Sequence, residues 1–183
     1  MSLAGIVFAA AAAGAFALVP STPPPTRTAA LVAAAALIQL RLLCNLLDGL
    51  LAVEEGLRTP TGDLFNELPD RLADVVILAG AGYAVRDLAG GVTLGWAAAA
   101  CALMTAYVRA LGGSLGLPQD FCGPMAKPHR MFTLTVAALA GAIESAFGNP
   151  PQMLRAGLVV IVVGSIATIG RRTLRLAREV TAR

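Results

Sequence analysis

Seven of the eleven acidic residues in this 183-residue chain lie between Asp48 and Asp74. Asn45 lies three residues before this segment begins at Asp48. Within the segment, Asn66, Asp70 and Asp74 are spaced four residues apart. On α-helices these spacings place side chains on one face. Carboxylate and amide oxygens grouped in this way suit hard divalent cations such as Mg²⁺, Mn²⁺ or Ca²⁺. The pattern therefore predicts a metal site formed by Asn45, Asp48, Asn66, Asp70 and Asp74.

The composition predicts that these polar residues lie in a membrane protein. Hydrophobic residues make up 57% of the chain, charged residues 14%, and the mean hydropathy is +0.74. Soluble domains carry roughly 25% charged residues. We therefore expect an all-α integral membrane protein with a single membrane domain, residues 1–183. No basic stripe with interleaved aromatic residues is present, which argues against nucleic acid as a partner. The only histidine is His129, which excludes a histidine-rich metal site.

The apolar segments predict six transmembrane helices. Each is near the length of about 20 residues that a membrane span requires. The predicted spans are residues 3–19, 28–53, 62–85, 91–111, 131–147 and 153–169, and a basic C-terminal tail follows at 171–183. The first segment lacks the positively charged start of a signal peptide, so we expect it to be a retained span.

The distribution of arginine and lysine predicts the orientation. With six spans, both termini and the loops after spans two and four lie on one side. Most basic residues lie on that side, and the opposite loops hold only Arg27, Arg86 and Arg155. The positive-inside rule then places both termini and the acidic segment at the cytoplasmic face of the cell (inner) membrane. The arginines of the tail either contact anionic headgroups or serve only as a topology signal.

The acidic segment has the features of a site that handles phosphate. Spans two and three are joined by a short loop, so we expect them to be antiparallel neighbours whose polar faces meet. Gly49 and Ala52 remove side-chain bulk beside Asp48, which leaves room for a ligand. A hard metal at a membrane boundary can neutralise a diphosphate, and a free carboxylate can act as general base. A purely structural alternative pairs Asp48 and Asp70 with Arg41 or Arg71.

The segment at 45–74 resembles the signature of the CDP-alcohol phosphotransferases, which reads D-x-x-D-G-x-x-A-R, eight or nine residues, then G-x-x-x-D-x-x-x-D. Asp48, Gly49, Ala52, Gly62 and Asp70 match this signature, and the spacing holds without a gap. The resemblance implies six spans with the signature across spans two and three. It also implies Mg²⁺ or Mn²⁺ at the acidic positions, CDP phosphates beside the glycines and alanine, and the final aspartate as base.

The same resemblance implies an activity. A phosphatidyl-like group would pass from a CDP-linked lipid to an alcohol acceptor with release of CMP, as in phospholipid biosynthesis. The implied partners are the lipid donor, the alcohol and membrane lipid, and the family is commonly dimeric, so a homodimer is one option. The alternative is a non-catalytic or transporter-like membrane protein with the same fold, whose acids line an ion pathway.

Three positions depart from the signature. Asn45 and Asn66 replace aspartates, and Val53 replaces the arginine that contacts the nucleotide. Three interpretations stay open: a single metal, an altered donor for which Arg58, Lys127 or Arg130 supplies the missing charge, or lost catalysis. Glu67 and Asp74, each within a turn of Asp70, are candidates to restore the lost negative charge.

A second polar segment, residues 123–130, lies between spans four and five. The family often carries a glycine- and lysine-bearing segment there that reaches phosphate, and this stretch is similar. The resemblance implies that Lys127 and Arg130 bind donor or acceptor phosphate. A simple positive-inside loop is the alternative. Arg109, near the end of span four, either lines the same cavity or extends to the membrane interface.

Overall fold

The computed structural model describes residues 3–54 and 62–182, with the side chains of all these except residues 3, 48, 49, 51–54 and 62–66. This part of the chain is helical and contains no strand, which confirms the predicted all-α class. The helices are α1 (Leu3–Leu18), α2 (Pro24–Glu54), α3 (Gly62–Ala84), α4 (Gly91–Ser114), α5 (Lys127–Ala146) and α6 (Gln152–Thr181), with a 3₁₀ turn at Val19–Ser21 after α1.

Two helices begin about one turn earlier than the predicted spans. Helix α2 begins at Pro24 instead of residue 28, and α5 begins at Lys127 instead of residue 131. Proline is compatible with the first turn of a helix because the amide hydrogen it lacks has no partner there. Pro24, Pro25 and Pro128 therefore start these helices, although the sequence analysis treated the segments as loops.

The basic tail expected at 171–183 is, through Thr181, the last part of α6. Arginine, leucine and alanine are strong helix formers, and no proline follows Gly170 to end the helix. The tail arginines also differ from one another. Arg172 is buried, whereas Arg171, Arg175 and Arg178 are exposed. Arg172 is thus part of the protein interior and not a headgroup contact.

The main contacts between helices form a closed ring. Helix α1 packs on α2 and α3, α3 packs on α4, α4 on α6, α6 on α5, and α5 on α2. Over their described residues, α2 and α3 meet through side chains such as Arg41 and Asp70, and their backbones are not closely packed. Helix α1 packs against both of them. The polar side chains of α2 and α3 nevertheless meet inside the ring, as described below.

Small residues allow the helices around the site to approach closely. A Cβ atom added to Gly82 of α3 would lie 2.7 Å from the Cα of Gly95 in α4, too close for any other residue. This contact brings the two backbones together and sets the position of α3 against α4. The apolar core lines the interior of the ring and includes Phe16, Leu31, Ile77, Leu134 and Leu158.

Four helical segments of the described chain are long and apolar enough to cross a membrane. They are Ala4–Ser21, Pro24–Leu47, Gly91–Ser114 and Gln152–Thr181. Many large apolar side chains are exposed on the outside of the ring, for example Val136 and Ile143 of α5 and Val163 of α6. Lipid is the solvent that suits such a surface. The chain is an integral membrane protein, while the crossing of α3 and α5 stays a prediction.

Candidate functional site

The carboxylate of Asp70 is the meeting point of three helices. Arg41 Nη2, from α2, donates to Asp70 Oδ1 at 3.0 Å and to the Asp70 carbonyl at 3.0 Å. Asn45 Nδ2, one turn further along α2, donates to the same Oδ1 at 2.7 Å. The ammonium group of Lys127, at the start of α5, pairs with Oδ2. The structure thus brings together three predicted site residues, Asn45, Asp70 and Lys127.

Asp74, one turn after Asp70, is fully buried among arginines. Its Oδ1 lies 2.9 Å from Arg41 Nη2, and its Oδ2 lies 3.1 Å from Arg130 Nη2 and 3.7 Å from Arg71 Nη1. The Arg41 contact is an ion pair by distance and does not have hydrogen-bond geometry. Asp74 was expected as a supplementary metal ligand, but in this structure both of its oxygens contact guanidinium groups.

A cavity of about 420 Å³ opens beside these pairs, between α3, α4, α5, α6 and the loop before α5. Five basic side chains line it, and no acidic side chain is among the described lining residues. The basic ones are Arg71, Arg109, Lys127, Arg130 and Arg172. Thr105, Phe121 and His129 are also on the wall. We call this space the basic cavity; its charge and size suit an anionic ligand.

Arg109 is held in place at the wall of the basic cavity. Its Nη2 pairs with the carboxylate of Glu67, and its guanidinium lies 5.0 Å from the centre of the Phe121 ring. Arg71 Nε lies 3.0 Å from the same Glu67 oxygen. Glu67 therefore contacts two cavity arginines and is not directed at Asp70. Of the two alternatives for Arg109, the structure favours the cavity.

The loop at 115–126, which supplies Phe121, is attached to α4 and α6 by Arg172. Arg172 Nε donates to the Cys122 carbonyl at 2.8 Å, and Nη1 donates to the Thr105 carbonyl at 2.8 Å. The loop also passes very close to α6. Gly123 has φ +134°, and a Cβ there would lie 2.4 Å from Thr168 Cγ2, so this position requires glycine.

The exposed end of this loop carries a carboxylate whose ionised form is favoured. Burial raises the pKa of Asp120, but the Cys122 amide, which donates to it at 2.7 Å, and the nearby Arg175 outweigh that effect, so the pKa is lowered. Because the folded-state pKa is depressed, the ionised form stabilises the loop at neutral pH. That stabilisation is lost as the pH falls through the lowered pKa.

Several predicted site residues lie outside the described residues or side chains, namely Asp48, Gly49, Ala52, Val53, Arg58, Gly62 and Asn66. Within the described part, no three His, Cys, Asp or Glu side chains converge. Asp70 and Asn45 lie side by side, with the Asn45 amide nitrogen donating to Asp70 Oδ1 at 2.7 Å, and each side chain carries an oxygen atom of the type that hard cations bind; Asp48 lies one turn beyond Asn45. The donors thus fit Mg²⁺ or Mn²⁺ in type, and the remaining ligands would come from Asp48 and Asn66.

The sequence analysis underestimated two arginines that the structure places at the site. Arg41 was considered only as a structural partner, and Arg172 only as part of a tail. Both are charged residues next to apolar helical sequence, which is a signal of a functional site in a membrane protein. Their partners, which come from α3, α4 and the loop at 115–126, are remote in the chain, so sequence spacing does not reveal them.

Fold and site together define a class: a helical membrane protein whose partly buried Asp70 and basic cavity resemble those expected of a CDP-alcohol phosphotransferase. Comparison with known proteins confirms this resemblance. No family model matches the chain. It is 27% identical over 148 residues to the phosphatidylinositol phosphate synthase of Streptomyces avermitilis. That match covers 78% of this chain, and the chain spans 60% of the length of that curated relative.

Solved structures share the fold. The phosphatidylinositol phosphate synthase of Mycobacterium tuberculosis with CDP-DAG bound aligns with a TM-score of 0.75 and 22% identity, covering 94% of this chain and 83% of that one. The same enzyme in complex with manganese and citrate aligns with a TM-score of 0.72 and 22% identity, covering 94% and 79%. The fold of this chain is therefore that of a phosphatidylinositol phosphate synthase.

Proposed function

We propose that this chain is a metal-dependent phosphatidyltransferase of the CDP-alcohol type. It transfers a phosphatidyl-like group from a CDP-linked lipid to an alcohol, with release of CMP, in phospholipid biosynthesis. The observation that carries the proposal is the position of Asp70. This residue of α3 is held by side chains of α2 and α5 at the edge of the basic cavity. The names of its relatives, one of them with CDP-DAG bound, support the choice of donor.

The metal would be held by Asp48 and Asp70 together with the side-chain oxygens of Asn45 and Asn66. Manganese in a protein of the same fold supports this assignment. When bound, Mg²⁺ or Mn²⁺ would neutralise the diphosphate of the donor. Gly49, Ala52 and Gly62 would leave room for the CDP phosphates. The signature arginine that contacts the nucleotide is Val53 in this chain. Lys127 and Arg130 of α5 would supply positive charge in its place.

Asp70 would act as the general base. Its carboxylate would take the proton of the acceptor hydroxyl, the hydroxyl oxygen would bond to the lipid-side phosphorus, and the bond from that phosphorus to CMP would break. Arg41 and Asn45 hold one oxygen of Asp70 in place, so the other oxygen faces Lys127 and α5. Positioning of this kind is a large part of the catalysis available to a phosphotransferase.

The acceptor would carry a phosphate of its own. The five cations of the cavity wall, together with Arg41, outnumber the three carboxylates that pair with them, Glu67, Asp70 and Asp74, so a net positive charge would remain beside a neutral ligand. A phosphorylated polyol supplies both the attacking hydroxyl and the compensating anion. The relative from S. avermitilis, a phosphatidylinositol phosphate synthase by name, supports this choice.

The test is release of CMP by the purified full-length chain in detergent micelles containing CDP-diacylglycerol. We expect release with Mn²⁺ or Mg²⁺ and a phosphorylated polyol, and none after chelation with EDTA. The non-phosphorylated polyol is the matched control and should be a poor acceptor. Equal use of both polyols would contradict the anionic acceptor, and release unaffected by EDTA would contradict the metal.

The alternative, a non-catalytic or transporter-like protein, has one set of observations in its favour. Asn45, Asn66 and Val53 each weaken the signature. Suppose that no CMP is released with any phosphorylated or non-phosphorylated acceptor, while Asp70→Asn still weakens Mn²⁺ binding. The site then binds the metal but does not catalyse the transfer, and the alternative is correct.

A further inference from the structure

Asp74 lies outside the signature match, yet two of the three arginines that it contacts serve different parts of the site. Arg41 reaches from Asp74 to the Asp70 carboxylate, through Nη2 in both cases. Arg130 reaches from Asp74 to the wall of the basic cavity, where its Nη1 also donates to Thr105 Oγ1 at 3.4 Å. Asp74 therefore stands between the aspartate proposed as the base and the cavity proposed for the acceptor.

Burial makes these contacts important. The side chains of Arg41, Asp74 and Arg130 are at most 1% exposed. A buried charge that loses its partner is strongly destabilised, because neither water nor another charge compensates for it. Arg41 would keep Asp70 as partner if Asp74 were neutral. Arg130 would keep only its hydrogen bond to the Thr105 hydroxyl. Its guanidinium would then shift away from its present position to reach water or another charge.

We propose that Asp74 is a positioning residue that holds Arg41 and Arg130 in fixed relative orientation, and is not a metal ligand. The proposal rests on the proposed function for the roles of Asp70 and the basic cavity. Arg41 is held against Asp70 on one side, and Arg130 is held against the cavity on the other. Asp74 thus fixes the distance between the attacking hydroxyl and the phosphate end of the acceptor.

The experiment compares Asp74→Asn with Asp70→Asn in the purified full-length chain. Mn²⁺ binding is measured by electron paramagnetic resonance, and citrate serves as the anionic probe of the cavity, measured by calorimetry. We expect Asp74→Asn to keep Mn²⁺ affinity within about twofold of the parent but to weaken citrate binding by about tenfold, because displacement of the unpaired Arg130 from the cavity wall outweighs the loss of a negative charge near the anion. Tighter citrate binding would overturn the proposal. Asp70→Asn should weaken Mn²⁺ binding instead. Weaker Mn²⁺ binding by Asp74→Asn with unchanged citrate binding would overturn the proposal and make Asp74 a ligand.

A second set of variants separates positioning from general damage. Arg130→Gln and the double variant Asp74→Asn/Arg130→Gln complete a cycle, and the double variant leaves no unpaired charge at this contact. If the two residues act as a unit, the double variant loses no more citrate affinity than the worse single variant, and additive losses would overturn the proposal. If Asp74→Asn does not fold, the double variant should still fold, since removing both charges of a buried pair is better tolerated.

Failure of the proposed function can be told apart from failure of this inference. Both binding measurements use the metal alone or citrate alone and need no turnover. If CMP release is absent but the two affinities change as expected, the proposed activity is wrong and the positioning role stands. If CMP release is present, Asp74→Asn should lower kcat and raise KM for the acceptor, while Asp74→Glu, which keeps the charge, should recover part of the citrate affinity.

Discussion

At the scale of single residues, the site is defined by how few negative charges it holds. Asp70 and Asp74 contact Arg41, Lys127, Arg130 and Arg71, so the described centre is rich in positive charge. An asparagine at position 45 donates a hydrogen bond to Asp70, which an aspartate could not do when ionised. Asparagine at position 45 therefore avoids placing a second negative charge next to Asp70.

Restoring the two signature aspartates should reverse this balance. Asn45→Asp with Asn66→Asp places additional carboxylates around Asp70, so Mn²⁺ affinity should rise by about tenfold or more through stronger Coulomb attraction. The metal-free double variant should be less stable than the parent, because like charges then adjoin. Titration with Mn²⁺ and thermal unfolding with and without the metal check both effects. Unchanged affinity would place these two side chains away from the metal.

The basic residues of α5 give a second prediction at this scale. Lys127→Ala or Arg130→Ala should raise KM for a phosphorylated acceptor or lower turnover by about tenfold or more, since a charge-assisted hydrogen bond contributes about 1.5–3 kcal/mol. Arg178→Ala, at an exposed position on α6, is the matched control and should have a much smaller effect. Equal effects in all three variants would mean that overall charge, and not the cavity, is responsible.

At the scale of elements, the loop at 115–126 is held in place by Arg172 of α6, together with Thr168 and Arg175 of the same helix. Arg172 connects the carbonyls of Cys122 and Thr105, and so joins the loop to both α4 and α6. The loop in turn carries Phe121, whose ring lies against Arg109. One wall of the basic cavity thus depends on a side chain that the sequence places in a tail.

Removal of Arg172 should loosen that wall. Arg172→Ala leaves two carbonyls without their donor and should lower the free energy of unfolding by about 2 kcal/mol or more. Citrate binding should weaken with it. The neighbouring Arg171→Ala removes an exposed arginine of the same helix and should change neither quantity. Denaturant unfolding in detergent and calorimetry measure the two effects. Equal loss in both variants would show that helix charge alone is responsible.

At the scale of the whole molecule, the ring of helices concentrates polar groups inside and apolar groups outside. The predicted orientation places both termini on the cytoplasmic side, because the excess of basic residues lies there. In a cysteine-free background, a cysteine at Thr181 should be labelled only from the cytoplasmic side by a membrane-impermeant reagent. A cysteine at Asp87, in the loop after α3, should be labelled only from the other side. The reverse pattern would refute the orientation.

Much of the fold followed from local chemistry. Apolar segments of the right length predicted each helix, and the described bounds differ from the predicted spans mainly where prolines start α2 and α5 and where α6 continues beyond residue 169. The spacing of Asn45, Asp48 and Asp70 also predicted a polar site. These features depend on residues close in sequence, whose helical periodicity can be read directly.

What the sequence determined by itself is the class of protein, the helices and the residues able to do chemistry. Only the tertiary structure decided which of them meet. Asp74 contacts arginines instead of standing free for a metal, Arg172 is buried, and α1 packs on both α2 and α3. The physical reason is that a buried charge takes the nearest partner that compensates it. That partner comes from a helix far along the chain, and its position depends on how all six helices pack.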